Sequence, residues 1–505
     1  MTVKLDGHIL RIDDVVAVAR REEPVELTDA ACKAVRHSRQ TLEAFVEDPT
    51  RLVYGVNTGF GRLVSERISA AEITQLQENL IFSHSAGVGA LLSEEVVRAA
   101  MLLRINSLAK GYSGVRLELL NTLVTMLNRK VHPAVPSKGS LGASGDLAPL
   151  AHIAAVLLGK GRAVYNGEHL SGKAAMDRAG IEPIRLEAKE GLALINGTPV
   201  MCALGVLAVA DSEHLCDISD AVGALSVFVL DGSPRAFAKS IQDARPHPGQ
   251  IASAKTLREL LETVPASPRE GVQDAYSLRC IPQVHGAVRT ALDHAAGVIE
   301  TEINSATDNP LVFPDSGEIL SGGNFHGEPI ALVTDYLKLA MAELGSISER
   351  RINRLLHPDL NGDLPPFLVQ DAGLNSGYMI AQYTAAALAS ENKVLAHPSS
   401  VDSIPVSGDQ EDHVSMGTNA ARHLRTVVEN VGTILAVELL CGCQANEYIA
   451  RPLPAALADL YAAVRQRVPA LSKDEEIHRH IKTSTGLIWE KSLTEAVVRS
   501  IVTSD

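Results

Sequence analysis

Over long tracts of the 505-residue chain, apolar residues recur at three- and four-residue steps. That spacing lays one face of a helix against a core. From about Pro329 to Leu356 the step is kept by Val333, Tyr336, Leu337, Ala340, Leu344 and Ile347, with Asp335, Lys338, Glu349 and Arg350 interspersed. Similar stretches run from about Pro199 to Leu230 and from about Pro282 to Ser305, and another covers 416–448, which has no proline. Thirty residues at 1.5 Å each make a helix of roughly 45 Å, a length typical of bundles. Residues 70–128 are also helical in pattern, with breaks near Gly87-Val-Gly89 and Lys110-Gly111. Residues 1–50 read as short helices around a break at Pro24, and 51–62 as a glycine-punctuated loop. "GKGRAVYNGEHLSG" reads as a small hairpin. The pattern predicts an all-α fold, a long-helix bundle with small irregular or β-hairpin elements. Three regions are expected: a mainly helical 1–200, a central bundle over 201–450, and a helical tail over 451–505.

Composition agrees with helices. Hydrophobic residues make up 46% of the chain but aromatics only 4%, and strands favour aromatic and β-branched side chains. The net charge of −14 argues against nucleic acid or an anionic membrane as partner. The first twenty residues carry no apolar segment behind a basic one, and no run approaches 18 apolar residues, so neither a signal peptide nor a membrane span is expected. Six scattered cysteines suit reduced thiols in the cytoplasm. Metal chemistry is not expected: Cys441-x-Cys443 and His478-x-His480 point apart on a helix, and no H-E-x-x-H occurs.

One stretch stands apart, "GSLGASGDLAPL", from Gly139 to Leu150. Its small residues allow either a sharp bend or a reaction of the backbone itself. If the Gly145 nitrogen attacks the Ala143 carbonyl carbon, a five-membered ring closes around Ser144 with loss of water. Loss of the Ser144 hydroxyl as a second water leaves an exocyclic methylene, and the product is a strong electrophile. Gly145 has no Cβ to hinder the approach, and Asp146 follows as a proton acceptor and as a cap for the next helix. Alone, "ASG" is common and reads as a glycine-rich turn before a helix; a phosphate cradle is disfavoured, since no G-x-x-x-x-G-K-[ST] occurs.

The longer string "GSLGASGDLAPLAHIA" resembles the signature of the aromatic amino acid ammonia-lyases, and further blocks resemble them over about residues 4–470. "YGVNTGFG" is similar to the segment of the catalytic base, here Tyr54, beside Arg51 and Gly55. "NLIFSHSAGVG" resembles the selectivity segment, with Ser83 and His84. "EGLALINGT" carries Asn196, and "QDAYSLRCIPQVHG" carries Gln273, Tyr276 and Arg279. "GGNFHGEP" carries Phe325, and "QEDHVSMG" carries Glu411.

The resemblance implies a long-helix bundle of the fumarase/aspartase-like type. It also implies a 4-methylidene-imidazol-5-one formed autocatalytically from Ala143, Ser144 and Gly145, with no external cofactor. Its further implication is a homotetramer whose active sites draw on three subunits. An amine added to the electrophile becomes a better leaving group. A phenol titrates at about 10, so Tyr54 needs a positive charge or a helix N-terminus nearby to act as base. The fork of Arg279 suits a substrate carboxylate. Asn196 and Gln273 suit the ring oxygen or that carboxylate, and Tyr276 shares a helical face with Arg279. Relatives acting on phenylalanine or tyrosine carry glutamine where Glu411 stands. A phenyl ring would leave Glu411 buried without a partner, which is costly, whereas an imidazole N–H satisfies it. The expected reaction is elimination of ammonia from L-histidine to trans-urocanate, the opening step of histidine degradation. The alternatives are a lyase acting on tyrosine or phenylalanine, and a 2,3-aminomutase, since "HSAGVG" and "ARPHPGQ" resemble tyrosine 2,3-aminomutases.

Overall fold

Helices dominate the computed structural model, which describes residues 2–47, 53–59, 68–69, 72–264, 273–490 and 492–493. Arg51, the end of the Tyr54–Gly61 stretch and the last part of the tail lie outside the described residues. The four longest helices, Pro199–Val229, Ile281–Glu302, Glu328–Leu356 and Gly417–Asn446, fall close to the predicted limits. Two of them correct the expectation that no segment is apolar enough to span a membrane. Pro199–Val229 and Gly417–Asn446 are long and apolar enough, but their most apolar windows are 83% and 78% buried inside the protein. A helix apolar on all sides is a core helix when protein surrounds it.

The chain forms two compact units, and four of the five boundaries between them along the sequence fall within those helices. The first comprises Met1–Ala210, Ala296–Asp335 and Pro398–Arg422. Its central helix, Glu94–Ala109, is buried from Val96 onward, Arg98 and Arg104 included. The same unit carries small sheets. Val3–Leu5 pairs in parallel with Val25–Leu27. Val88–Leu91 runs antiparallel to Pro136–Lys138. The predicted hairpin is present, Arg162–Tyr165 against Glu168–Ser171. Asn166 and Gly167 both take positive φ there, 51° and 78°, as a two-residue turn matched to strand twist requires.

The second unit comprises Asp211–Ala295, Tyr336–His397 and His423–Asp505. Its long helices are joined by a fully buried pair. Arg351 Nε and Nη2 reach the two Glu438 oxygens at 2.6 and 2.9 Å, and Ser226 and Ser348 donate to the same carboxylate. Burial of these charges is tolerated because the fork is bidentate and the remaining lone pairs are occupied.

Candidate active site

The glycine-rich stretch of the first unit is a bend immediately before the Leu147–Leu157 helix. Gly142 and Gly145 hold φ of 69° and 75°. A Cβ on Gly145 would collide with the Gly197 carbonyl, and one on Gly142 with the Ser415 hydroxyl. Both positions therefore demand glycine on two grounds, conformation and space.

Hydrogen bonds grip the bend from two sides. The Ser144 carbonyl oxygen accepts from Asn196 Nδ2 at 3.0 Å and from the Gly197 N–H at 3.2 Å. The Asp146 N–H donates to the Gly197 carbonyl at 2.7 Å. On the other side the Met416 N–H donates to the Leu141 carbonyl at 2.8 Å, and Ser415 Oγ to that of Gly142 at 3.2 Å.

The Asp146 carboxylate corrects an expectation. It makes no capping bond to its own helix. One oxygen instead accepts from the Val200 and Met201 N–H groups at 2.9 and 2.8 Å, capping the Pro199–Val229 helix, while the other accepts from Ser140 and Thr418. Proline at the first helical position leaves those next two N–H groups needing a partner. Burial pushes this carboxyl above its ordinary range, against the pull of the four hydrogen bonds.

Tyr54 sits in a turn that its neighbours tie down. The Val53 N–H donates to Asn57 Oδ1 at 2.8 Å, Gly55 N–H to Thr58 Oγ1 at 3.1 Å, and Gln77 Nε2 to the Gly55 carbonyl at 3.2 Å. His84 ends the Ile73–His84 helix. Its Nδ1 donates to the Leu80 carbonyl at 2.8 Å. A carbonyl only accepts, so in the neutral ring Nε2 carries the lone pair. Burial lowers the pKa of His84, more than that hydrogen bond raises it, which favours the neutral ring.

Glu411 lies in a tight loop in which Val406 and Glu411 exchange backbone bonds at 3.0 and 3.3 Å. Its Oε1 accepts from Ser144 Oγ at 3.3 Å. Burial raises its pKa, and the Ser144 hydrogen bond opposes that shift. Tyr54, His84, Ser144, Asn196, Phe325 and Glu411 all line one cavity of about 750 Å³, together with Asn79, Leu192, Asn309 and Gln410. Ala143 and Gly145 are buried beside it. Six segments from three stretches of sequence thus meet around the bend.

Gln273, Tyr276 and Arg279 belong to the second unit and are not among that cavity's lining residues. Tyr276 and Arg279 do share a face, on the one-turn helix Tyr276–Arg279, with the guanidinium carbon 4.6 Å above the ring. The ring is 72% exposed, while Arg279 Nε is buried without a partner.

Sequence reasoning missed Gly197 and Arg104. The "NGT" that follows Ile195 was a usable signal for Gly197, since a glycine after a functional asparagine marks a close backbone approach. Arg104 had none, being one arginine in a helical stretch that shows no motif. It is fully buried behind Gly197, where a Cβ would strike Nη2, and Nη1 donates to the Ala193 carbonyl at 2.8 Å. Burial pushes this guanidinium down to about 10, against the charges of Asp308 and Asp146.

The helical fold, and a cavity that carries Ser144, Asn196 and Glu411 beside a doubly gripped backbone bend, suit a carbon–nitrogen lyase of the ammonia-lyase type, and known proteins agree. The aromatic amino acid lyase family matches residues 10–466, and the chain belongs to that family. A histidine ammonia-lyase of Caldanaerobacter subterraneus subsp. tengcongensis is 54% identical over 499 residues, covering 98% of each chain. One from Gloeobacter violaceus is 52% identical over 498 residues, 98% of this chain and 97% of its own. Among solved structures, histidine ammonia-lyase from Trypanosoma cruzi superposes with a TM-score of 0.93 at 42% identity, covering 99% of this chain and 96% of that one. Tyrosine aminomutase from Streptomyces globisporus gives 0.92 at 39%, covering 100% and 99%.

Proposed function

We propose that the protein is a histidine ammonia-lyase that eliminates ammonia from L-histidine to give trans-urocanate. The observation that carries the substrate is Glu411. A half-buried carboxylate faces the cavity within hydrogen-bond reach of Ser144. A substrate ring with an N–H gives it a partner, and a phenyl ring gives it none. Neutral His84, with its lone pair on Nε2, is a second acceptor for a ring bearing donors.

The electrophile is proposed to be the 4-methylidene-imidazol-5-one built from Ala143, Ser144 and Gly145. The bend fits it: Gly145 is held at a conformation and spacing that only glycine allows, and Ser144 faces the cavity. Once formed, the group would supply an electrophile for the substrate amine and so a better leaving group. Asn196 Nδ2 and the Gly197 N–H hold two hydrogen bonds on the Ser144 carbonyl oxygen, which ring closure retains, and would stabilise negative charge there. Tyr54 takes the β-proton from across the cavity, and Glu411 with His84 orients the imidazole. Phe325 supplies an apolar wall.

Gln273, Tyr276 and Arg279 are proposed to serve the cavity of another copy, with Arg279 on the substrate carboxylate, in a homotetramer. The exposed Tyr276 ring and the partnerless Arg279 Nε support that reading. Six cysteines, all free thiols, support the cytoplasm as the place of work.

The test is incubation with histidine, phenylalanine and tyrosine in turn, with identification of the product. Urocanate is expected, and cinnamate or coumarate as the main product would reject the assignment. A second reading, a 2,3-aminomutase, draws on the likeness to tyrosine aminomutase. Recovery of a β-amino acid as the main product would favour it.

A further inference from the structure

His326, Glu328 and His413 converge in the first unit, one ligating atom of each lying within 4.8 Å of the others. No linear spacing betrays the trio, because 87 residues separate the two histidines. Their rings stack with centroids 5.8 Å apart and planes within 6°. His326 Nε2 donates to the His413 carbonyl at 3.2 Å. That contact fixes the tautomer of the neutral ring and leaves the other nitrogen with its lone pair. A histidine held by a backbone carbonyl through one nitrogen, with the second free, is arranged as metal-binding histidines are. Glu328 opens the Glu328–Leu356 helix, and its Oε2 is buried without a donor. A buried carboxylate oxygen left unpaired is costly, and an unseen ion is one of the few things that explains it. His413 is exposed, so the position is reachable from solvent.

We propose that His326, Glu328 and His413 bind one divalent transition-metal ion of the zinc class. Two imidazoles and one carboxylate suit Zn²⁺, Co²⁺ or Ni²⁺ better than Mg²⁺ or Ca²⁺, which prefer all-oxygen shells. Zinc bonds of about 2.0–2.2 Å place tetrahedral ligand atoms roughly 3.4 Å apart. Partly exposed side chains close that gap by small rotations, and water completes the shell. The ion takes no part in bond breaking. It ties the segment holding Phe325 to the loop holding Glu411, both of which line the cavity.

Calorimetric titration of untagged, chelator-stripped enzyme with Zn²⁺ tests this without substrate, so it stands apart from the histidine assignment. One ion per chain is expected, with a matching rise in melting temperature. Glu328→Gln and His413→Ala should each weaken binding at least about tenfold and lose the thermal shift, while keeping the metal-free melting temperature of the parent. No saturable binding in the parent, or equal binding in both variants, would overturn the proposal.

Discussion

Glu411 carries a conflict between stability and use. Burial raises its pKa, so above that value the ionised carboxylate opposes folding; the penalty shrinks as pH falls below the folded value and is gone below the unfolded one. Loss of the Ser144 hydroxyl on ring closure would remove the one hydrogen bond that opposes the shift. Glu411→Gln should therefore melt higher than the parent at pH 8, and the gap should close on acidification. The same variant should lose most activity on histidine. Melting curves from pH 8 to about pH 4, below the ordinary glutamate value of about 4.3, check the first claim, and a parent more stable than the variant at pH 8 would refute it. Arg104 lies one remove from the bend, bonded to Ala193 and packed behind Gly197. Arg104→Met should leave a large fraction of chains uncyclised, seen as two populations in an intact-mass spectrum, and Arg104→Lys should recover part of the loss. A merely stabilising arginine would lower the melting temperature of Arg104→Met without splitting the mass. The meeting of Ala143-Ser144-Gly145 with Glu411 at one cavity was legible, because each lies in a dense motif. Arg104 was illegible, since its place behind Gly197 arises only from the fold.

At the scale of elements, period and punctuation carried far. The four longest helices and the Asn166-Gly167 hairpin stand near their predicted places because a sustained apolar stripe and a two-residue turn are local signals. The strands Val3–Leu5 and Val25–Leu27 were not legible: three residues are too few for a period of two, and parallel pairing joins segments some twenty residues apart. The Asp146 cap was misassigned for a related reason. A capping residue normally serves the helix that follows it, whereas here the fold turns the carboxylate to a helix beginning more than fifty residues later. Asp146→Ala would leave the Val200 and Met201 N–H groups and two hydroxyls without their acceptor. Each orphaned buried group costs about 1–3 kcal/mol, so a loss of at least about 2 kcal/mol is expected in denaturant titration. A change within 0.5 kcal/mol, inside the scatter of ordinary surface substitutions, would show that the cap is dispensable.

For the whole molecule, the proposed division of labour between copies has a direct consequence. Tyr54→Phe and Arg279→Met should each be nearly inactive alone. Unfolded together and refolded as a mixture, they should regain activity, because some sites then receive both native residues from different chains. No recovery above the separate variants would place both residues in a site made by one chain. The claim beneath all of this concerns the backbone at one bend, and a weighing of the intact chain reaches it most directly. The parent protein is expected two water masses below its translated weight, and Ser144→Ala, with no hydroxyl to lose, should lack that deficit and almost all turnover. A parent at its full translated weight, active on histidine, would contradict the account.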